Sequence, residues 1–357
     1  MIIGSIRRSF SKAVGFLRKS WPTIIGILRR LLPTISFAIP MYMLYTLDPA
    51  SFELTWKGRT FYLFFIWLII LETILSWRKP KPILGRFKPL KIVALGIALA
   101  LPAVYVVAAN YGINDMIKPF ADKIVSGGAP NITLSIEYLV LTVLSIVVLA
   151  ATYGVYGLPD FPIAPLFLGT IGLIYMVDSL YPYGKFTPFQ AIVPTTTKLA
   201  ASILNLMGYT TRIGQMVSQP SYGSMTTLTA TDSAGHSMGA AVAWGCSGIE
   251  SLIIFTITIF LFLRKSGIPA WAKLAIFSIG AAVTYFINGL RIATLFIIGI
   301  NTGSMTSPQA DNFHYFYGQL YSISWIMLYP ILIIGLQLLA NRIKAPKPRK
   351  LPNAKPT

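Results

Sequence analysis

"AVAWGCSGIESLIIF", residues 241–255, carries the chain's one cysteine, Cys246, where a polar segment gives way to a long apolar run. After Glu250 no charged side chain occurs until Arg264. A run that apolar, near the ~20 residues that cross a bilayer, reads as a membrane-spanning helix rather than a strand or an amphipathic core helix.

The same pattern recurs through the chain. Of 357 residues, 55% are hydrophobic and 11% charged. The apolar blocks fall at about 31–47, 60–77, 92–109, 133–152, 163–180, 247–263, 272–298 and 317–340. The expected fold is an all-α polytopic membrane protein with about eight transmembrane helices. A formal charge of +19 could suggest a nucleic-acid partner, but the basic residues sit elsewhere than such a surface needs. The stretches 1–30, 78–91, 264–273 and 341–357 hold 22 of the 30 Lys and Arg and none of the 11 Asp and Glu. That asymmetry is the one expected of cytoplasmic loops facing lipid headgroups, with no nucleic acid required.

With eight crossings and a cytoplasmic start, every one of those basic stretches falls inside, and both termini are cytoplasmic. The loop between 133–152 and 163–180 has no basic residue to fix its side. The expected organisation is a basic amphipathic cytoplasmic arm (1–30), N-terminal transmembrane helices (31–180), an extracellular cap (181–245), a transmembrane core (246–340) and a basic, disordered cytoplasmic tail (341–357). Within the small cap, "AIVPTTTKLAASILNLMG" (190–207) reads as an amphipathic surface helix, and the turn-rich segment after it as two or three short β-strands. "NIT" at 131–133 has the form of a glycosylation sequon on the outer side.

Three residues carry chemistry. A free cysteine commonly serves as a small buried hydrophobe, but Cys246 has Gly245 and Gly248 beside it and stands in or just before the first turn of a helix, whose positive end favours a thiolate. Arg291, in "YFINGLRIATLFIIGI", is costly in lipid and implies a protein interior or an aqueous cavity, unless it snorkels to an interface. Cys246 lies 18 residues before Arg264 and Arg291 lies 18 residues after Lys273. At 1.5 Å per residue both stand about 27 Å above the inner surface. His314, in "DNFHYFYGQL", begins the last span at the outer headgroup level. Thiol, guanidinium and imidazole at one depth suit nucleophilic acyl transfer.

Lesser candidates surround them. Glu250, one turn below Cys246 on the same helical face, either orients Arg291 or is a buried acid paired elsewhere. Asn288, one turn before Arg291, contacts a substrate or a neighbouring helix. His236, in "DSAGHSMG", is an alternative base or an ordinary loop residue. Tyr315, Tyr317, Tyr321 and Trp325 read as an interfacial aromatic belt. One cysteine and two histidines leave no ligand set at metal spacing, so neither metal nor cofactor is expected.

"CSGIES" (246–251), "NGLRI" (288–292) and "FHYFYG" (313–318) together resemble, in order, spacing and membrane context, the three motifs of the exosortase/archaeosortase family of integral-membrane transpeptidases. The resemblance covers about 160–340, the earlier spans being only generically similar. It implies Cys246 as nucleophile, Arg291 as the family arginine and His314 as the third catalytic residue, a place where some archaeal members carry arginine. It also implies a substrate class: secreted proteins ending in a short motif, a transmembrane helix and a basic cluster. The expected function is cleavage of such C-terminal sorting tails through a cysteine thioester at the outer face of the plasma membrane, with transfer to an amine acceptor, the expected partners being membrane lipids and a lipid amine. The alternatives are a membrane cysteine protease without transfer, or a non-enzymatic transporter or scaffold subunit in which Arg291 and Glu250 form a structural ion pair.

Overall fold

The computed structural model describes residues 2–54, 58–77, 89–124, 132–181, 187–217 and 224–344. The chain is mostly helical, with one small sheet. In order it runs α1 (Ile2–Leu47), α2 (Ala50–Glu53), α3 (Thr60–Leu75), α4 (Pro89–Ala108), α5 (Asn114–Ile124), α6 (Ile132–Tyr153) and α7 (Ile163–Leu180). Then come α8 (Thr187–Gln190), α9 (Val193–Leu206), β1 (Thr210–Val217), β2 (Ser224–Thr231) and β3 (Ser237–Val242). The chain closes with α10 (Ile249–Lys265), α11 (Ala270–Thr302), α12 (Pro308–Asn312) and α13 (Gly318–Lys344).

Among the described residues six helical stretches are long and apolar enough to cross a membrane: Ile24–Leu47, Pro89–Pro119, Ile132–Tyr153, Ile163–Leu180, Ala270–Thr302 and Pro308–Leu339. The expected count of eight is therefore not confirmed. The two remaining blocks do fold as helices, but shorter ones. α3 has 16 residues and α10 has 17, a rise of about 24 and 26 Å against a hydrocarbon core of ~30 Å. α10 starts only at Ile249, two residues into the apolar block at 247–263, because a separate 3₁₀ turn (Trp244–Cys246) precedes it and Gly248 takes φ +82°. Both short helices pack on longer ones, α3 on α1 and α7, and α10 on α7, α11 and α13. Leu68, Phe255 and Ile259 are wholly buried there.

Two buried carboxylates tie the N-terminal helices together. Glu137 of α6 receives a bidentate pair of hydrogen bonds from Arg59 Nε and Nη2, both 3.0 Å, and a third from Tyr62 Oη at 2.9 Å. The same guanidinium reaches Asp48 at 2.8 Å, so the end of α1 and the starts of α3 and α6 meet at one charge. Glu72 of α3 accepts from the backbone N–H of Ile163 (2.7 Å) and Ala164 (2.9 Å), filling the N-terminus of α7 where the helix dipole favours an anion.

The cap segment yields three antiparallel strands in the order β1-β2-β3. The helix expected at the surface is more tightly held than that reading implies. α9 buries Val193, Thr196, Ala200, Ala201 and Leu204 and packs on α11, β1 and β2. A Cβ at Gly289 of α11 would come within 2.8 Å of Leu199, which shows how closely the two helices approach. The basic arm and the first apolar block form one continuous helix, α1. Asn131 of the sequon, residues 78–88 of the second basic stretch and 345–357 of the tail lie outside the described residues.

The Arg59 cluster makes a clear prediction. Glu137→Ala leaves a buried guanidinium without its bidentate partner and should cost about 3 kcal/mol. The Asp48 carboxylate is half exposed, so Asp48→Asn should cost under about 1 kcal/mol. Thermal unfolding of the two purified variants checks the ranking; equal shifts would contradict it.

Candidate active site

The site begins with the turn that holds Cys246. The backbone leaves β3, passes through the 3₁₀ turn Trp244–Cys246 and enters α10 through Gly248. Ser247 locks this turn: its Oγ donates to the Trp244 carbonyl (2.6 Å), and its own carbonyl accepts from Thr196 Oγ1 of α9 (3.0 Å). Trp244 is 1% exposed and stacks obliquely on Phe189. Asn288 of α11 donates from Nδ2 to the Cys246 carbonyl at 3.2 Å. Gly248 has two independent reasons to be glycine: its positive φ, and an Asn288 side chain lying where any Cβ would stand. Cys246 is thus fixed from the strand, from α9 and from α11, while remaining only half-buried.

Arg291 is 4% exposed and lies inside the bundle, so it does not snorkel. Its Nη1 donates to Gln319 Oε1 of α13 at 3.0 Å. Cys246 and Glu250 are the titratable groups within its electrostatic reach. Its aliphatic stem runs along Gly318, where a Cβ would come within 2.8 Å of Arg291 Cγ and 2.9 Å of Cδ. The glycine ending "FHYFYG" therefore makes room for the arginine of "NGLRI".

His314 stands in a π-helical turn, Phe313–Tyr317, between α12 and α13. The wider turn inserts a residue into the helical register, a distortion that occurs often at functional sites. Its ring meets that of Tyr315 edge to face, centroids 4.8 Å apart. Cys246, Arg291 and His314 line a single cavity of about 260 Å³. Its walls come from the end of β3 and from Phe296, Met305 and Phe313. The three residues singled out from the sequence therefore share one chamber, at the end of the bundle that carries the sheet.

The lesser candidates separate. Glu250 is buried but lines a different, smaller void with Phe61, Phe64, Ser251 and Gln319. It does not share a helical face with Cys246, because Cys246 belongs to the 3₁₀ turn and α10 starts only three residues later. Asn288 is wholly buried and holds the cysteine's backbone without lining the cavity. His236 is exposed in the β2–β3 turn, where its Nδ1 lies 2.9 Å from Asp232 Oδ2. That contact, with the amide N–H groups of His236 and Ala234, holds the Asp232 carboxyl below the usual carboxylate range. The histidine shapes a turn away from the cavity.

The aromatic belt also divides. Tyr315 lines the cavity, whereas Trp325 donates to Thr284 Oγ1 at 3.1 Å and fastens α13 to α11. Two polar residues went unread in the sequence. Gln319 was legible as an amide in the first turn of an apolar span, a position that implies a partner. Asp311, which also lines the cavity, precedes His314 by one helical turn and carried no other signal. No group of His, Cys, Asp and Glu among the described residues is arranged to hold a metal ion.

Gly248→Ala should destabilise the protein by at least about 2 kcal/mol, from left-handed backbone strain and collision with Asn288. Gly267, with open space around it and no positive φ, is the control, and Gly267→Ala should change the melting midpoint little. Equal midpoints for the two variants would contradict the role given to Gly248.

A family model described as transmembrane exosortase (Exosortase_EpsH) matches residues 56–330. The match begins near α3, well before the part of the chain in which the motifs alone carry the resemblance, and it contains all three cavity residues. No curated protein and no solved structure matches the chain. With more than three quarters of its length inside the match, and with the membrane helices already described, the chain belongs to the transmembrane exosortase family.

Proposed function

We propose that the protein is a cysteine transpeptidase that cleaves C-terminal sorting tails of secreted proteins and passes the acyl group to an amine acceptor. The observation that carries this reading is the convergence of Cys246, Arg291 and His314 on one cavity. The Cys246 thiolate attacks the scissile carbonyl carbon, and the carbonyl electron pair moves onto oxygen. Arg291 meets that oxyanion; a guanidinium stays charged throughout and suits this task better than proton transfer. As the tetrahedral species collapses the C–N bond breaks, and His314 gives a proton to the departing amine. An entering amine then attacks the thioester, loses its proton to His314 and expels the thiolate.

Gln319 and Glu250 act as positioning residues for Arg291 in this scheme, one by hydrogen bond and one by charge. The basic stretches of the sequence support cytoplasmic termini, and with α3 and α10 also crossing the membrane in this reading the cavity and the sheet face the outer side of the plasma membrane. Lipids surround the helices, and a lipid amine is the acceptor nearest to hand. Water attacks the same thioester, so hydrolysis without transfer is the companion reading, decided by the chemistry of the product's new end.

The test is co-expression with a secreted reporter ending in a short motif, a transmembrane helix and a basic cluster. Wild type should trim the tail, Cys246→Ala should not, and His314→Ala should be slowed by roughly 10²–10⁴-fold. A folded Cys246→Ala variant that trims at the normal rate would favour the transporter or scaffold reading instead. Mass spectrometry of the mature end distinguishes a lipid adduct from a free carboxylate. A membrane-impermeant thiol reagent should label Cys246 from outside; labelling only after the membrane is opened would contradict the orientation.

A further inference from the structure

The sheet ends in an edge that leads to the nucleophile. β3 pairs with β2 on one side only, and among the described residues no strand lies beyond it. The phase of its free backbone groups follows from the β2–β3 turn. Asp232 N–H donates to the His236 carbonyl at 3.0 Å, which makes 232/236 a hydrogen-bonded pair. In an antiparallel ladder such pairs recur at every second position. In the observed register the pairs Ala230/Met238, Leu228/Ala240 and Thr226/Val242 are then hydrogen-bonded, while Thr231/Ser237, Thr229/Gly239 and Thr227/Ala241 are not. The N–H and C=O groups of Ser237, Gly239 and Ala241 therefore point away from β2, and no hydrogen bond to them is made among the described residues.

This edge is continuous with the cavity. Ala240, Ala241 and Val242 line it together with Cys246, four residues after the strand ends. Ser237 and Gly239 are exposed, Ala241 is half-buried, and the side chains from 239 to 241 are hydrogen or methyl, which leaves room beside the backbone. Met305, Thr306, Phe313 and Tyr315 line the same cavity. A helix has no free backbone groups to offer such an edge. An extended peptide has one N–H and one C=O available at every second residue, which is the requirement for strand addition.

We propose that the peptide carrying the scissile bond binds as a fourth strand along β3, with main-chain hydrogen bonds to Gly239 and Ala241 delivering the carbonyl to Cys246. The inference rests on the transpeptidase reading and adds how the tail is held. Main-chain pairing supplies alignment independent of side chains, and the cavity wall reads the residues beside the scissile bond. The tail segment suits this role because it links a folded domain to a membrane helix and is free to extend.

Cysteine cross-linking with the reporter tests it. Cys246 is the only cysteine, so the Cys246→Ala, Ala241→Cys variant carries a single thiol on the β3 edge. The reporter processed by wild type receives one cysteine at successive positions through its motif. Directly opposed residues in a strand pair have Cβ atoms about 5 Å apart, and their immediate neighbours point to the other face. Disulfide yield should therefore alternate, high at every second position. Moving the thiol to Gly239 (Gly239→Cys) should shift the pattern by two residues, in the direction that reveals whether the strands run parallel or antiparallel.

Cross-linking without alternation would overturn the proposal. So would its absence at every position while wild type processes the same reporters. A disulfide-linked dimer of the chain in place of the reporter adduct would assign the edge to a second copy and overturn it too. If wild type processes no reporter, the transpeptidase reading itself falls, and this inference with it.

Discussion

Everything around the cavity is arranged by the need to hold one permanent positive charge inside an apolar bundle. Arg291 cannot lose its proton and is almost fully shielded from solvent. Such a charge is tolerated only when paired and hydrogen-bonded. Gln319 supplies the hydrogen bond, Glu250 and Cys246 the opposing charge or polarisable sulfur, and Gly318 the space for the stem. These partners come from α10, α13 and the turn before α10. Satisfying the arginine thus brings together the three segments that carry the family's motifs.

A second constraint fixes the sulfur itself. The turn at Cys246 is anchored by side chains reaching its backbone from α9 and α11, and by a glycine whose conformation and crowding admit no other residue. Side chains that bind backbone carbonyls hold a position without occupying the reactive space. The Cys246 side chain is left at the cavity while its main chain is held by hydrogen bonds, the preorganisation that the proposed acyl transfer needs. The Arg59–Glu137 node plays a corresponding part for the N-terminal helices at the same end of the bundle, and the void beside Glu250, bordered by Phe61 and Phe64, is where the two halves adjoin.

Much of this was legible in the sequence, for reasons that can be stated residue by residue. Apolar block length located every long helix, because a bilayer imposes one length on all of them. Counting from the basic anchors put Cys246 and Arg291 at one level, because helical rise is fixed; the structure sets both on one cavity. The count of eight full spans is not confirmed. Of the two places left open for Cys246, in the first helical turn or just before it, the structure takes the second, because Gly248 adopts a left-handed conformation and α10 starts only at Ile249. Lateral position was illegible: Glu250 and Asn288 carry the right chemistry, yet one lines a neighbouring void and the other grips the backbone. Asp311 and the inward face of α9 were missed because their meaning depends on which helix stands opposite, and no periodicity encodes that. His236 was open in the sequence between a base and an ordinary loop residue, and the structure pairs it with Asp232, four residues earlier, in the β2–β3 turn.

The central claim is that an acyl group passes through the sulfur of Cys246. Hydroxylamine, added while wild type is processing its reporter, competes with the natural acceptor for a thioester and converts the released end to a hydroxamate. The account predicts hydroxamate-terminated reporter in proportion to added hydroxylamine, formed by wild type and absent with Cys246→Ala. Mature reporter produced at the normal rate with no hydroxamate at any hydroxylamine concentration, or hydroxamate formed equally by Cys246→Ala, would contradict it.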